Sequence, residues 1–297
     1  MVYRCCEKRG FVLSDSTPPY TTLISIDDLA AHLDDADWCV FDCRFSLMDP
    51  QAGQKAYIEA HIAGARYVSL DDDLSAAHIA GETGRHPLPE KQEWVEAVLA
   101  MGLDPDKQAV VYDDAGGAMA ARMWWMLRWI GHEKVALLNG GWQAWQKAGF
   151  AVSSSDEISP DKAAGDYASR ASLVRTVTAE ELSGTQQMLL DARELPRFTG
   201  QTEPLDPVAG HIPNALCSPF SANLGKEWFL KSPEELKQKF RDASITDREV
   251  VCYCGSGVTA CHNILAMRVA GLAEPALYPG SWSEWIIDPD RPVATGD

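Results

Sequence analysis

The run Val250-Val251-Cys252-Tyr253-Cys254-Gly255-Ser256-Gly257-Val258-Thr259, followed by Ala260-Cys261-His262-Asn263-Ile264-Leu265, reads as a buried strand, a glycine-bearing loop and a helix. A cysteine closes the strand. Gly255 and Gly257 can adopt dihedrals that turn successive backbone N–H groups inward, and the helix behind them adds its positive N-terminal end. Such a loop holds sulfur as an anion, either thiolate or persulfide, with main-chain donors alone. The competing reading makes Cys254 an inert buried thiol in an ordinary strand-to-helix turn.

Other loop chemistries fit less well. A cysteine-dependent phosphatase closes its loop with an arginine that clamps phosphate, yet the first arginine after Cys254 is Arg268. A serine-hydrolase elbow needs glycine two residues before its serine, where this chain has Cys254 before Ser256. Cys252, Cys254, Cys261 and His262 match no usual zinc spacing and would have to converge from a strand, a loop and a helix, so no metal is expected.

The chain has 297 residues, 46% of them hydrophobic and 23% charged, which suits a globular protein of two domains. A net charge of −17 and a pI near 4.8 argue against nucleic acid or an anionic membrane as partner. A small anionic substrate must therefore meet a locally positive pocket. There is no run of eighteen apolar residues, and Met1-Val2-Tyr3-Arg4-Cys5-Cys6-Glu7-Lys8 lacks a signal-peptide hydrophobic region, so a cytoplasmic location is expected. Eight cysteines without regular spacing do not indicate a disulfide framework. Cys39 and Cys43 bracket a predicted strand, and Cys5 and Cys6 read as incidental thiols of an extension.

Working outward from the loop, the sequence repeats itself at a spacing of about 140 to 150 residues. Trp38-Cys39-Val40-Phe41-Asp42-Cys43-Arg44 parallels Met188-Leu189-Leu190-Asp191-Ala192-Arg193, each a strand ending in Asp-x-Arg. His61-Ile62-Ala63-Gly64-Ala65 parallels His211-Ile212-Pro213-Asn214-Ala215. Val110-Val111-Tyr112-Asp113-Asp114 parallels Val250 to Cys254, and Gly140-Gly141-Trp142 parallels Gly280-Ser281-Trp282. Each half alternates β-rich runs with amphipathic helical runs, which predicts an α/β fold in tandem, each copy with a largely parallel central sheet flanked by helices. The expected limits are an N-terminal domain over 21–152, a linker over 153–172 and a catalytic domain over 173–297. Sites in such sheets lie beyond the strand C-termini, where Cys254 falls. The alignment sets Asp114 opposite Cys254, so only the second half can do cysteine chemistry. The first half then completes the cleft, and Arg122-Met123-Trp124-Trp125 reads as core and domain interface. Asp191, Arg193, His61 and His211 read as structural because they recur in the half without the cysteine. His262 reads as a surface or packing residue, and Cys252 and Cys261 as possible redox partners of Cys254 that point away from it.

From about residue 21 to 287 the chain resembles a two-domain sulfurtransferase of the rhodanese superfamily, and its Cys-Gly-Ser-Gly-Val-Thr loop resembles the 3-mercaptopyruvate branch. The thiosulfate branch carries Arg and Lys after the cysteine, where Gly255 and Ser256 stand here. The resemblance implies that Cys254 is the nucleophile and that Gly255, Gly257, Val258 and Thr259 cradle the substrate. It implies a relay of Ser256, His86 and Asp71, with the Asp71-Asp72-Asp73 triplet alternatively a solvated loop, and it implies that Arg197 pairs with the substrate carboxylate. A second arginine expected after Arg197 is missing from residues 200–207, and Met119 or a neighbour replaces a first-domain tyrosine. Arg122 is a candidate to compensate, or to form an interdomain ion pair. The implied activity is sulfur transfer from 3-mercaptopyruvate through a persulfide to a thiol or to cyanide, with no cofactor, with thioredoxin among the candidate acceptors, and with a monomer as the expected state. The alternatives are a thiosulfate:cyanide sulfurtransferase and a non-catalytic persulfide carrier.

Overall fold

The computed structural model describes residues 19–154, 162–182, 187–245 and 249–296. In the first half the order is β1 (Leu23–Ile24), α1 (Ile26–Ala31), β2 (Trp38–Asp42), α2 (Ala52–Glu59), β3 (His61–Ile62), β4 (Arg66–Tyr67), α3 (Lys91–Ala100), β5 (Gln108–Tyr112), α4 (Ala120–Trp129), β6 (Val135–Leu138), α5 (Gly141–Ala148) and β7 (Val152–Ser153). The second half follows with α6 (Ala179–Leu182), β8 (Met188–Asp191), α7 (Leu195–Phe198), β9 (Leu216–Cys217), α8 (Pro233–Asp242), β10 (Val250–Tyr253), α9 (Ala260–Val269), β11 (Ala276–Leu277) and α10 (Ser281–Trp285).

Each half builds its own parallel sheet, β1-β6-β5-β2-β4 in the first and β11-β10-β8-β9 in the second. A parallel bridge from Thr176 to Leu277 in the second half stands where β1 pairs with β6 in the first. β5 and β10 are β-branched and wholly buried because helices cover both faces of a parallel sheet. The Asp-x-Arg motifs close the ends of β2 and β8 alike. Arg44 pairs with Asp42 and Arg193 with Asp191, each at 2.6 Å, and the two guanidiniums lie over Trp142 and Trp282 respectively.

The two halves share one apolar core. Residues 120–128 of α4 are all buried, as are residues 260–267 of α9, because these helices pack on each other between the sheets. Trp124 and Trp125 belong to that shared core. Arg128 of α4 reaches Glu274 of the other half at 2.8 Å. The segment expected to link the halves is fastened where described: Ser153 already pairs with His61, and buried Tyr167 places its hydroxyl 3.0 Å from His132 Nδ1. Cys39, Cys43, Cys252, Cys254 and Cys261 are free thiols, and Cys5 and Cys6 lie outside the described residues. Among the described residues no helix is long and apolar enough to cross a membrane.

Two histidines are buried as neutral rings. His132 is bonded to Tyr167 and to the Lys134 carbonyl, and His262 to Asn223 and to the Gly116 carbonyl. Burial, the dominant cause, pushes each pKa down to about 4. The unfolded chain takes up these protons near pH 6.5 and the folded chain does not, so their contribution to stability is complete above that pH and is lost as pH falls toward 4. The slope is about 1.4 kcal/mol per pH unit for each ring. Urea midpoints measured between pH 7 and pH 4.5 should fall accordingly, and His132→Gln should flatten the fall.

Candidate active site

Cys254 follows β10 at the C-terminal edge of the second sheet, and its backbone is held from both sides. Its N–H donates to Ser281 Oγ at 3.1 Å, and its carbonyl accepts from the Trp282 N–H at 3.0 Å. Ser281 adopts a positive φ of 54°, a strained conformation for a residue with a side chain, and its hydroxyl also ties down the Tyr278 carbonyl. The loop then turns at Gly257 (φ 77°), where a Cβ would lie 2.3 Å from the Pro279 carbonyl oxygen. From Gly255 to Ala260 the backbone N–H groups have no hydrogen-bond partner among the described residues.

The first half shows what those donors are shaped to hold. There Asp113 Oδ1 accepts from the N–H groups of Ala115 and Gly117, and Oδ2 from those of Met119 and Ala120, all at 2.8–2.9 Å. Asp113, rather than Asp114, is the counterpart of Cys254. Its carbonyl accepts from the Trp142 N–H as that of Cys254 does from Trp282, and it follows Tyr112 as Cys254 follows Tyr253. Those two tyrosine hydroxyls each receive the matching Ile62 or Ile212 N–H at 3.2 Å. The expected pairing with Asp114 is thus displaced by one residue, because the first-half loop carries one more residue before its Gly-Gly-Trp segment. One half fills its loop with its own carboxylate; the other presents a thiol.

Ser256 lies beside Cys254 and shares a 2.7 Å hydrogen bond with His86 Nδ1 from the first half. His86 Nε2 is 3.3 Å from Asp71 Oδ1. Burial, then the charges of Arg122 and Arg85, push the His86 pKa down to about 3, so the ring is neutral. The tautomer with its proton on Nε2, the side that faces Asp71, leaves Nδ1 as the acceptor for the Ser256 hydroxyl. Burial and the neighbouring Asp72 raise the Asp71 pKa. Asp72 and Asp73 point elsewhere, bonding the hydroxyl and N–H of Ser69.

A cavity of about 260 Å³ opens over the loop between the two halves. Cys254, Gly255, Ser256, Val258 and Thr259 line it, whereas Gly257 is turned toward Pro279 and serves the loop's bend. Arg197 lines it as expected, and Arg85, which precedes the relay histidine, lines it from the first half. One arginine is expected here, but the fold brings three to the wall, Arg85, Arg197 and Arg193, the last tied to Asp191 and Glu203. A Cβ on Gly255 would fall 2.8 Å from Arg85 Nη2 and 3.5 Å from Arg197 Nη1, so both guanidiniums face the residue after the cysteine. Two carboxylates, each 3% exposed, hold these groups from behind. Glu203 binds Arg197 at 2.7 Å, while Asp206 bonds Arg197 at 3.2 Å and Arg85 by a short contact. Met119 also lines the cavity, as anticipated.

Among the described residues Arg122 neither joins the cavity wall nor forms an ion pair. Its guanidinium is fully buried and donates to the carbonyls of Gly257, Leu74 and His86, stitching the loop to the first half. His61 and His211 stack on Tyr57 and Phe198 and bond their carbonyls, a matched structural pair far from the cysteine's chemistry. Fully buried His262 packs against the first-half loop rather than facing solvent. Burial raises the Cys252 thiol, and raises that of Cys261 to about 12, while Cys261 bonds the Gly257 carbonyl, so both stay protonated.

This geometry, two parallel-sheet copies with one anion-holding cysteine loop, matches a known family. The rhodanese-like domain model covers residues 25–148 and again 176–288, and the chain belongs to that family. A Pseudomonas aeruginosa protein named "Probable 3-mercaptopyruvate sulfurtransferase" is 48% identical over 93% of this chain and 98% of its own length. Mouse thiosulfate sulfurtransferase is 34% identical over 86% of this chain and 88% of its own. The structure of 3-mercaptopyruvate sulfurtransferase from Leishmania major superposes with a TM-score of 0.80 at 32% identity, covering 89% of this chain and 74% of that one. The protein is a two-domain sulfurtransferase.

Asp113 takes four loop N–H groups on its two carboxylate oxygens, so Asp113→Asn leaves buried N–H donors short of acceptors at a cost of about 1–3 kcal/mol. Chemical denaturation should register that loss. Sulfur loading on Cys254 should stay within about twofold of wild type, since additivity is expected for separate sites.

Proposed function

We propose that the protein takes sulfur from 3-mercaptopyruvate onto Cys254 and passes it to a thiol or to cyanide. The observation that carries this reading is the Asp71–His86–Ser256 relay set against a cysteine whose loop donors are unpartnered. The substrate carboxylate fits the outward edges of Arg197 and Arg85, the latter lying over the position where the thiosulfate branch carries its own arginine side chain.

In the first step the Cys254 thiolate attacks the donor sulfur, the carbon–sulfur bond breaks, and its electron pair passes to carbon as pyruvate enolate. Cys254 keeps the added sulfur as a persulfide, whose charge rests on the N–H groups of residues 255–260. Ser256 sits between His86 and the cavity, so its O–H can turn from the imidazole to the enolate oxygen as charge develops there. Protonation at carbon completes pyruvate. An acceptor thiolate then attacks the outer sulfur and regenerates the Cys254 thiolate, or cyanide takes that sulfur as thiocyanate. Neither step needs an external oxidant or reductant.

The first half, over residues 21–152, acts as a structural and positioning domain whose own loop is closed by Asp113, and residues 173–297 carry the nucleophile. Thiosulfate is the second reading, because two guanidiniums also suit a sulfonate-like anion. The buried carboxylates of Glu203 and Asp206 weigh against a dianion there. A cytoplasmic setting suits a reactive thiol, and thioredoxin is a candidate acceptor.

Cys254→Ser should abolish transfer from either donor while the thermal midpoint is kept. Ser256→Ala and His86→Gln should lower kcat/KM for 3-mercaptopyruvate by about 100-fold and leave thiosulfate:cyanide transfer within about threefold, since thiosulfate has no keto oxygen to polarise. Steady-state pyruvate and thiocyanate assays check both. Equal losses with the two donors would remove the relay from the mechanism.

A further inference from the structure

The stretch after Arg197 that lacks a second arginine supplies two acids instead. Glu203 accepts from Arg197 Nε and Nη2, from Arg193 Nη1, and from the backbone N–H groups of Leu205 and Asp206. Its place is fixed from many sides. Asp206 differs, because its two oxygens go to different halves of the molecule: Oδ2 to Arg197 Nη2 at 3.2 Å and Oδ1 to Arg85 Nη1. The Arg85 guanidinium has no other hydrogen bond among the described residues. Asp206 is thus the one side chain among the described residues that holds the Arg85 guanidinium, leaving Arg85 Nη2 toward Gly255, while Arg197 presents both its Nη1 and its Asp206-bonded Nη2 there.

Charge follows from the same contacts. Arg85, Arg193 and Arg197 bring three positive charges to the cavity wall, Asp206, Glu203 and Asp191 pair with them, and Glu194 adds a further carboxylate to the lining. The cavity recognises an anion through directed N–H groups and keeps little net charge to favour a second negative charge on the donor. We propose that Asp206 is a positioning and specificity residue: it bridges Arg85 and Arg197 across the two halves and trims their charge so that the donor site prefers a monoanion, a keto-carboxylate, to a dianion. The inference rests on the Cys254 persulfide reading given above.

Asp206→Asn tests it, because the amide keeps an oxygen for Arg85 and removes the charge. The ratio of kcat/KM for thiosulfate to that for 3-mercaptopyruvate should rise at least about fivefold, and the salt dependence of thiosulfate turnover should steepen. Asp206→Glu, which keeps the charge, should hold the wild-type ratio. An unchanged ratio in Asp206→Asn, or equal falls with both donors, overturns the proposal, since a merely structural residue would move the two together. A measurement on the wild type alone guards against a variant that does not fold: sulfate should inhibit transfer no more strongly than pyruvate, and much stronger inhibition by sulfate overturns the proposal. Mass spectrometry of Cys254 keeps the two levels apart. A wild-type cysteine that gains sulfur from neither donor defeats the persulfide reading itself, whereas loading with an unmoved ratio defeats only the role of Asp206.

Discussion

A curled loop with inward N–H groups must close around an anion, and the rest of this molecule is arranged by that need. Buried backbone donors left without acceptors are costly, so a loop of this shape is stable only when something negative sits in it. The first half meets the requirement with Asp113, which takes four N–H groups and leaves the loop chemically finished. The second half has Cys254 at the same place, and a thiol satisfies those donors only when it carries charge, on its own sulfur or on an added one. The chemical difference between the two loops thus centres on that residue, a carboxylate in one copy and a thiol in the other.

A shared backbone design does not make the halves independent. The helices that follow the two loops, α4 and α9, are buried on all sides because each is the other's core. That packing brings Arg122 under the Gly257 carbonyl, and it sets the Arg85-His86 pair of the first half over the loop of the second. The loop that holds Cys254 comes from its own half, and the His86 that bonds Ser256 comes from the other. A single copy would lack that histidine, which gives a physical reason for keeping both copies in one chain.

Much of this was legible in the residues. The order of repeated motifs fixed a tandem α/β fold, and the environments of Asp42-Arg44 and Asp191-Arg193 repeat down to the ring each guanidinium covers. The family resemblance, not the residues alone, set Ser256, His86 and Asp71 together, and the fold brings them within 3.3 Å of one another in turn. The displaced counterpart of Cys254 was hidden because two aspartates stand together and one loop is longer by a residue; the Trp142 and Trp282 contacts and the matched Tyr112 and Tyr253 bonds decide the register. Arg85 was passed over for another reason. It lies 121 positions from Asp206, and nothing local marks it as a partner of Arg197 until the halves are packed. The bonds of Arg122 to carbonyls rather than to an acid were equally beyond a reading by residue type.

The charge of the whole chain bears on how such a site finds its substrate. A protein at −17 repels small anions at distances where screening is weak, and the cavity does not counter this with a large positive field, since its guanidiniums already have carboxylates behind them. Attraction therefore acts at contact, through N–H groups fixed in direction. Fixed donors of this kind discriminate by shape and by where negative charge lies on the ligand, whereas a bare cationic patch ranks ligands mainly by total charge. The same principle governs the loop below, where the donors are again uncharged, buried and aimed at one atom. The cavity wall and the loop below it thus share one design, directed N–H groups in a site whose charged side chains are paired.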